Sequence, residues 1–195
     1  MTRPLLFPTP KKLSCSPCSR AKLPLMQIRL AEATDAQGIA EVHVRVWQIG
    51  YAPWVDAAYA ETLSVRTSTM RWLASLADPL QADTLVAVED SRIVGWTSYG
   101  VNRNGIGLHV GEVYGLYVDP DYWGEGIGAE LLADATRALA ETGFESAILW
   151  TIAADEQARV FYEERGWTDD GEMEPHESGA EVVRYSFALR HALTE

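Results

Sequence analysis

The chain has 195 residues, of which 47% are hydrophobic, and its 16 basic and 28 acidic side chains give a net charge of -12. This length suits one domain with a substantial core. No apolar stretch approaches the ~20 residues needed to span a bilayer, and the N-terminus lacks the continuous apolar segment of a secretory signal, so we expect a soluble, cytoplasmic protein with no membrane partner.

The first 25 residues differ in composition from the rest of the chain. They hold five basic residues and no acidic one, together with both cysteines and five of the nine prolines, and no lysine follows them. This predicts a disordered basic extension over 1–25 and a folded domain over 26–195. Cys15 and Cys18 have CxxC spacing, but a structural zinc site takes four ligands and no second cysteine pair exists, so we expect no metal. Five basic charges before an acidic domain also argue against a nucleic-acid partner.

The hydrophobic pattern predicts alternating strands and helices from residue 26 onward. A strand over 26–31 is followed by a helix that starts at a capping box formed by Thr34 and Gln37. The remaining predicted elements are a helix over 64–77, strands over 84–90, 92–101 and 108–118, a helix from 127, a strand over 145–152, a helix over 155–165 and two final strands. The order βααβββαβαββ predicts an α/β (α+β) sandwich with a mixed, mostly antiparallel central sheet and helices on both faces.

Three glycines occur where the helix after the predicted strand 108–118 should begin. They are Gly124, Gly126 and Gly128 in the segment VDPDYWGEGIGAELL (118–132), and glycine costs about 1 kcal/mol relative to alanine inside a helix. A glycine turn at a helix N-terminus exposes backbone amides that can bind an anion. The spacing fits neither the dinucleotide fingerprint nor a Walker loop, which needs a lysine. The alternative is a tight turn with close helix–strand packing and no ligand.

Two segments resemble the signatures of the Gcn5-related N-acetyltransferase (GNAT) superfamily. One is the strand GEVYGLYV with the turn Trp123-Gly124-Glu125-Gly126-Ile127-Gly128, which is similar to the family's V-x-P strand and [RQ]-x-x-G-x-[GA] turn. The other is DEQARVFYEERGW (155–167), which is similar to N-x-x-A-x-x-F-Y-E-x-x-G-[FW]. The resemblance covers about 26–190. It implies the GNAT fold, N-acetyltransferase activity and acetyl-CoA as co-substrate, with no metal.

The resemblance also implies where acetyl-CoA is held: the pantetheine along the strand and the pyrophosphate on the amides of 124–129. The implied cofactor-binding residues are Leu116, Tyr117, Val118, Trp123, Gly124, Glu125, Gly126, Ile127, Gly128, Ala129, Asp155 and Ala158. Two positions depart from the family pattern. Trp123 replaces an Arg or Gln, which removes a side-chain contact to phosphate, and Asp155 stands where the family often has Asn.

Acyl transfer to an amine needs a base for the amine and an acid for the departing thiolate. Period-2 spacing places Glu112 on one face of its strand with Tyr114, Leu116 and Val118, and its position matches the family's general base. The alternatives are a solvated strand-edge carboxylate, or His109 as the base. Tyr162 matches the family's general acid, and an ordinary phenol pKa near 10 keeps it protonated at pH 7. Its alternative role is packing, and the oxyanion partner is expected to be a strand amide near Tyr117.

The acceptor is expected to be a small-molecule amine, an amino acid or a peptide N-terminus. Aromatic side chains of the first helices and the following hairpin are expected to form its pocket, and Trp47, Tyr51 and Tyr99 are the candidates. The acidic surface favours a cationic amine. Two other functions stay open at this point, a non-catalytic acyl-CoA-binding module and an interaction domain that binds no CoA. A homodimer is a further possibility, because terminal strands of this fold often pair between chains.

Overall fold

The structure is a computed structural model that describes residues 26–78 and 82–189. The predicted disordered extension, with Cys15 and Cys18, lies outside these residues. In the described part, no helix has both the length and the apolar character needed to cross a membrane.

Strands and helices alternate much as the sequence predicts. The strands are β1 (Gln27–Leu30), β2 (Asp83–Glu89), β3 (Arg92–Val101), β4 (Val110–Val118), β5 (Ser146–Ile152), β6 (Thr168–Pro175) and β7 (Glu181–Ala188). The helices are α1 (Ala36–Ile49), α2 (Ala57–Thr62), α3 (Val65–Ala77), α4 (Ile127–Glu141) and α5 (Glu156–Glu163). Short 3-10 turns precede α1 and α4, at Ala33–Asp35 and Pro120–Tyr122.

The strands form one sheet in the order β1-β2-β3-β4-β5-β7-β6. Every neighbouring pair is antiparallel except β4 and β5, which are parallel and joined through α4. The prediction of a mixed, mostly antiparallel sheet is therefore confirmed, and α4 is the crossover helix that follows the glycine turn.

Two local predictions near α1 are wrong. The predicted order omits α2, a six-residue helix without a buried residue, because such a short exposed segment produces no apolar stripe. The start of α1 is also not capped by Thr34 and Gln37. Instead, the Asp35 carboxylate accepts a 2.8 Å hydrogen bond from the Glu32 amide and pairs with Arg29, so the capping box lies two residues earlier than we expected, between Glu32 and Asp35.

Helices cover both faces of the sheet and thereby create two cores. On one face, α1 and α3 pack against Trp96 of β3 and Val86 of β2. On the other face, α4 and α5 pack around Tyr185 of β7, which is fully buried. The two periodicities that the sequence shows, 3.6 for α1 and α4 and 2 for the strands, supply these apolar faces.

A buried carboxylate anchors the turn between β4 and the glycines. Asp119 is 1% exposed and pairs with Arg45 of α1 and, at 2.7 Å, with Arg92 of β3. It also accepts a 3.0 Å hydrogen bond from the Asp121 amide. Because these partners come from three parts of the chain, Asp119 fixes the turn against α1 and the sheet just before Gly124.

We predict that Asp119→Asn lowers the free energy of unfolding by about 1–3 kcal/mol, since it removes charge-assisted hydrogen bonds at a buried position. Asp121→Asn is the matched control, because Asp121 also pairs with Arg45 but its side chain is 62% exposed. The control should lose less than about 1 kcal/mol. Urea unfolding measures both changes, and equal losses in the two variants would contradict the anchoring role of Asp119.

Candidate active site

Strands β4 and β5 separate halfway along their length. Their parallel ladder pairs 110–113 with 146–149, and the described residues form no further pair between these strands. Both strands continue, to Val118 and Ile152, so their ends diverge and leave an opening in the sheet. The opening lies at the carboxyl ends of the two parallel strands, where ligands commonly bind in sheets of this kind.

A β-bulge in β4 marks the start of this opening. Ser98 and Tyr99 of β3 are adjacent, yet they pair with Gly115 and Val113, so Tyr114 is the extra residue. One extra residue reverses the alternation of faces beyond it.

The bulge therefore corrects our assignment of faces on β4. Val113 packs on the α4 face, so its neighbour Glu112 lies on the opposite face, as Tyr117 does beyond the bulge. Leu116 and Val118 pack against α4. Grouping Glu112 with Leu116 and Val118 by period-2 spacing is wrong, because the sequence pattern does not reveal the interrupted period.

Two cavities meet at the opening. The first, which we call the β4–β5 cavity, has a volume of about 410 Å³ and lies between the diverging strand ends, α1 and the segment between β6 and β7. The second, the glycine-turn cavity, has a volume of about 390 Å³ and extends from β4 to the glycines and α5. Both are lined by Tyr51, Leu116, Tyr117 and Tyr162. Two molecules held in the two cavities would therefore meet beside these four side chains.

The glycine turn has an open backbone at the N-terminus of α4. Gly124 and Gly126 have φ values of 82° and 88°, and a Cβ added at either position would meet nothing within 4 Å. Glycine is therefore required at these two positions by the left-handed backbone conformation and not by close helix–strand packing. Ala129 and Glu130 are the first α4 residues whose amides bond to the Gly126 carbonyl, so the amides before them are available to an anion.

The structure brings almost all of the predicted cofactor-binding residues to the glycine-turn cavity. The residues that line it are Leu116, Tyr117, Val118, Trp123, Gly124, Gly126, Ile127, Gly128, Ala129, Asp155 and Ala158. Glu125 is exposed and does not line the cavity. A backbone cradle with an apolar strand on one side fits a ligand with a diphosphate and an extended, mostly uncharged arm.

Trp123 contacts both the end of β4 and the end of α1. Its indole N–H donates a 2.7 Å hydrogen bond to the Val118 carbonyl. Its ring lies over Gly50 at the end of α1, where an added Cβ would come within 3.0 Å of it. Trp123 thus closes the space between α1 and the last residue of β4.

Asp155 is the N-cap of α5. Its carboxylate accepts a 3.0 Å hydrogen bond from the Ala158 amide, and the residue is only 9% exposed. A carboxylate at a helix N-terminus is stabilised by the helix dipole. Asp155 therefore has a capping role in α5, and an Asn oxygen could accept the same hydrogen bond.

Glu112 is buried in the wall of the β4–β5 cavity and bonds to Arg103. Its Oε2 accepts a 2.8 Å bond from the Arg103 amide, and its Oε1 accepts bonds of 3.1 and 2.5 Å from Arg103 Nε and Nη2. The Glu112 residue is 1% exposed, whereas the Arg103 side chain is 61% exposed. A buried charge needs such a partner, and the sequence did not identify Arg103 because a cation in a loop has no distinctive pattern.

Three phenols lie at the junction of the two cavities. Burial raises the pKa of Tyr117 to about 12. Burial, with Tyr117 and Asp155 nearby, also raises the pKa of Tyr162. Burial likewise raises the pKa of Tyr51 well above its usual value, and the nearby Tyr117 and Tyr162 raise it further. All three hydroxyls are therefore protonated near pH 7 and able to donate.

Aromatic rings also line the β4–β5 cavity. Trp47 lies there as predicted, and His176 stacks on it with ring centroids 5.8 Å apart. His176 Nδ1 accepts from the Ser178 amide at 3.2 Å and lies 2.8 Å from its hydroxyl, so the proton of the neutral ring is on Nε2. The sequence does not reveal His176, because a single histidine between two strands has no distinctive pattern and only the β6–β7 turn brings it to α1.

Two candidates are not brought to the site. Tyr99 is 5% exposed and packs in the core on the α4 face, where burial raises its pKa to about 12, and it lines neither cavity. His109 is exposed at the start of β4 and also lines neither cavity. Phe161 packs against the core on the α4 face and also borders the glycine-turn cavity. We therefore leave Tyr99 and His109 out of the site.

Metal ligands are not grouped within 26–78 and 82–189: no cluster of His, Cys, Asp or Glu side chains there is arranged to hold an ion. The Cys15 and Cys18 pair lies outside these ranges.

The chain is similar in sequence to a known protein family and to several of its relatives. Residues 42–167 match the model of the "Acetyltransferase (GNAT) family". A protein of Archaeoglobus fulgidus described as an uncharacterized N-acetyltransferase is 32% identical over 139 residues, which are 70% of this chain and 89% of that protein.

Two solved structures share the fold. PaiA N-acetyltransferase from Thermoplasma acidophilum, solved with coenzyme A, has a TM-score of 0.67 at 21% identity and covers 84% of this chain and 99% of its own. The protein yncA from Salmonella typhimurium, solved with its cofactor acetyl-CoA, has a TM-score of 0.66 at 20% identity and covers 85% of this chain and 94% of its own.

His43 of α1 packs beside Tyr117, and its burial makes the stability of the protein depend on pH. Its ring is 5.0 Å from that of Tyr117 and 5.6 Å from that of Trp96, and its Nδ1 is buried without a hydrogen-bond partner in the described residues. Burial, assisted by Arg71, lowers the pKa of His43 to about 4. The folded protein thus keeps this ring neutral, while the unfolded chain takes up a proton below about pH 6.5.

We predict that the buried His43 makes the protein less stable as the pH falls from about 6.5 to about 4. Relative to His43→Phe, the wild-type protein should lose on the order of 2 kcal/mol of unfolding free energy between pH 7.5 and pH 4.5. Urea unfolding at several pH values measures this difference. Parallel pH curves for the two proteins would contradict the burial of a neutral imidazole.

Proposed function

Because the chain belongs to the acetyltransferase (GNAT) family, we propose that it is an acetyl-CoA-dependent N-acetyltransferase that transfers the acetyl group directly to a primary amine. One observation carries this proposal: a cavity with a backbone anion cradle meets a second cavity beside the buried Tyr162. The reacting atoms of two substrates have to meet at such a junction.

Acetyl-CoA would occupy the glycine-turn cavity. The pyrophosphate would lie on the amides of 124–128, since the Ala129 amide already bonds to the Gly126 carbonyl. The pantetheine would lie along β4 beside Leu116 and Val118. This placement is supported by the open backbone of the turn and by the CoA and acetyl-CoA bound to the two structural neighbours. The net charge of -12 does not oppose it, since amides act at contact distance while exposed carboxylates are screened over ~8–10 Å.

The acceptor amine would enter the β4–β5 cavity between Glu112 and the aromatic wall of Trp47 and Tyr51. Glu112, directly or through a water, would take a proton from the ammonium group. The freed lone pair would attack the thioester carbonyl carbon and form the C–N bond. A backbone amide of β4 near Tyr117 would stabilise the oxyanion.

Collapse of the tetrahedral intermediate would break the C–S bond, and the electron pair would leave with the sulfur. Tyr162 would donate its proton to that thiolate, which is the role that a protonated phenol at the junction can fill. The protons on Glu112 and Tyr162 would then equilibrate with water, so no metal and no covalent enzyme intermediate is required.

A second candidate is a non-catalytic acyl-CoA-binding module. The pairing of Glu112 with Arg103 favours it, because the bonds from the guanidinium occupy the carboxylate oxygen that a base would use. Both candidates require CoA binding, and only the enzyme requires turnover.

We predict micromolar binding of acetyl-CoA by calorimetry, weakened at least about 100-fold by Gly126→Asp, because a carboxylate beside the pyrophosphate is repelled. Gly105→Asp is the matched control. Gly105 has a similar φ of 65° and equally open surroundings, but it lines neither cavity, so its variant should bind normally. Absence of binding to the wild-type protein, or equal weakening in both variants, would contradict the cradle.

We predict that Tyr162→Phe lowers kcat by about 10²–10³-fold with a primary amine that the wild-type protein acetylates, while acetyl-CoA affinity changes little. Tyr185→Phe is the control, since it also removes a buried phenol hydroxyl but one that bonds to Arg159 and Glu163 away from both cavities. A steady-state assay of free thiol release measures both variants. Unchanged kcat in Tyr162→Phe would exclude this residue as the acid.

A further inference from the structure

We propose that the Arg103 guanidinium is a displaceable resident cation, which occupies at Glu112 the position of the acceptor's ammonium group and leaves it when a cationic acceptor enters. This inference rests on the proposed function and adds a specificity residue to it. The acceptor class it implies is an amine that is protonated when it arrives, and Arg103 competes with that amine for one carboxylate oxygen.

The difference in burial between the two partners is the first observation. Glu112 is 1% exposed, so its charge cannot be solvated where it lies. The Arg103 side chain is 61% exposed, so its guanidinium returns to water with little change in surroundings when it leaves. Arg103 is therefore the partner that can move.

The two carboxylate oxygens of Glu112 are held differently. Oε2 bonds to the backbone amide of Arg103, whereas both guanidinium bonds are made to Oε1. Departure of the guanidinium therefore frees Oε1 alone and leaves the carboxylate oriented through Oε2. An ammonium group in the cavity can then donate to Oε1 in place of Nε and Nη2.

The loop that carries Arg103 is fixed at its base. The Asn102 side chain is buried, donates to the carbonyls of Gly107 and Val110 at 2.8 Å each, and accepts from the Ile106 amide at 2.9 Å. The exchange therefore needs a rotamer change of one side chain and no movement of the loop.

The surroundings of the guanidinium suit another cation. Arg103 Cζ lies 4.5 Å from the centroid of the Tyr114 ring, and both residues line the β4–β5 cavity together with Glu174. Among the described residues that line this cavity, Arg103 is the only arginine or lysine. A ring face and a carboxylate form a site for an alkylammonium group as well as for a guanidinium.

Binding of benzylamine tests the exchange without any turnover. At pH 7.5 benzylamine is an ammonium ion with an aromatic ring, and benzyl alcohol is its neutral counterpart. If the guanidinium occupies Oε1 in roughly nine-tenths of the molecules, Arg103→Met should bind benzylamine about tenfold more tightly than the wild-type protein does. Arg103→Lys retains a tethered cation and should bind it about as weakly as the wild-type protein. Benzyl alcohol should bind all three proteins alike.

Binding of benzylamine to Arg103→Met that is equal to or weaker than wild-type binding overturns the proposal, because Arg103 would then be a permanent partner of Glu112. If Arg103→Met does not fold, the wild-type protein gives the same answer by NMR. The Arg103 Nε–H resonance should shift toward its solvent-exposed position as benzylamine is added and stay unchanged with benzyl alcohol. An Nε–H resonance that benzylamine does not shift also overturns the proposal. Acetyl-CoA calorimetry on the same samples tests the proposed function separately, since Arg103 does not line the glycine-turn cavity.

Discussion

The parallel ladder between β4 and β5 joins only four residue pairs, and the position at which it stops determines the rest of the site. Beyond Val113 and Leu149 the two strands diverge, so backbone and side chains that would otherwise be covered by a neighbouring strand line two cavities. The bulge at Tyr114 lies at this point and changes the twist of β4. It also moves Glu112 and Tyr117 to the face that α1 covers, while Leu116 and Val118 face α4. One extra residue thus places Glu112 and Tyr117 on one face of β4 and Leu116 and Val118 on the other.

In the part of the chain that the structure describes, each buried carboxylate has a hydrogen-bonding partner. Asp119 is held by arginines of α1 and β3, and Glu112 is held by Arg103 of the loop between β3 and β4. The first pair fixes the turn that presents the glycines, and the second leaves an exposed cation beside a buried anion. Because an unpaired buried charge is costly, such pairs are stable until a ligand offers an equivalent partner. Arg92 beside Asp119 is about as exposed as Arg103 beside Glu112, at 56% and 61%. The two pairs differ in that Glu112 lines the β4–β5 cavity, where a ligand can reach it, whereas Asp119 lines neither cavity.

The sequence predicted those parts of the molecule that depend on local pattern. Apolar periodicity identified α1, α3, α4 and the seven strands. The residues predicted from the glycines and the segment 155–167 line the glycine-turn cavity, apart from Glu125. The errors arose where the result depends on tertiary contacts. The bulge at Tyr114 breaks a period that appears regular in the sequence, and Tyr99 faces the core because of its register with β4. Arg103 and His176 enter the site from loops whose positions only the folded sheet defines.

Amide hydrogen exchange with and without acetyl-CoA tests most directly whether the diverging end of β4 and the glycine turn together form the binding site for the acyl donor. Amides of 114–118 lie where β4 has no pairing to β5, and those of 124–128 precede the first bonded amides of α4. We predict that acetyl-CoA slows exchange in both segments and leaves β1 and β2 unchanged. Protection of neither segment, or equal protection throughout the sheet, would contradict the assignment of this opening as the active site.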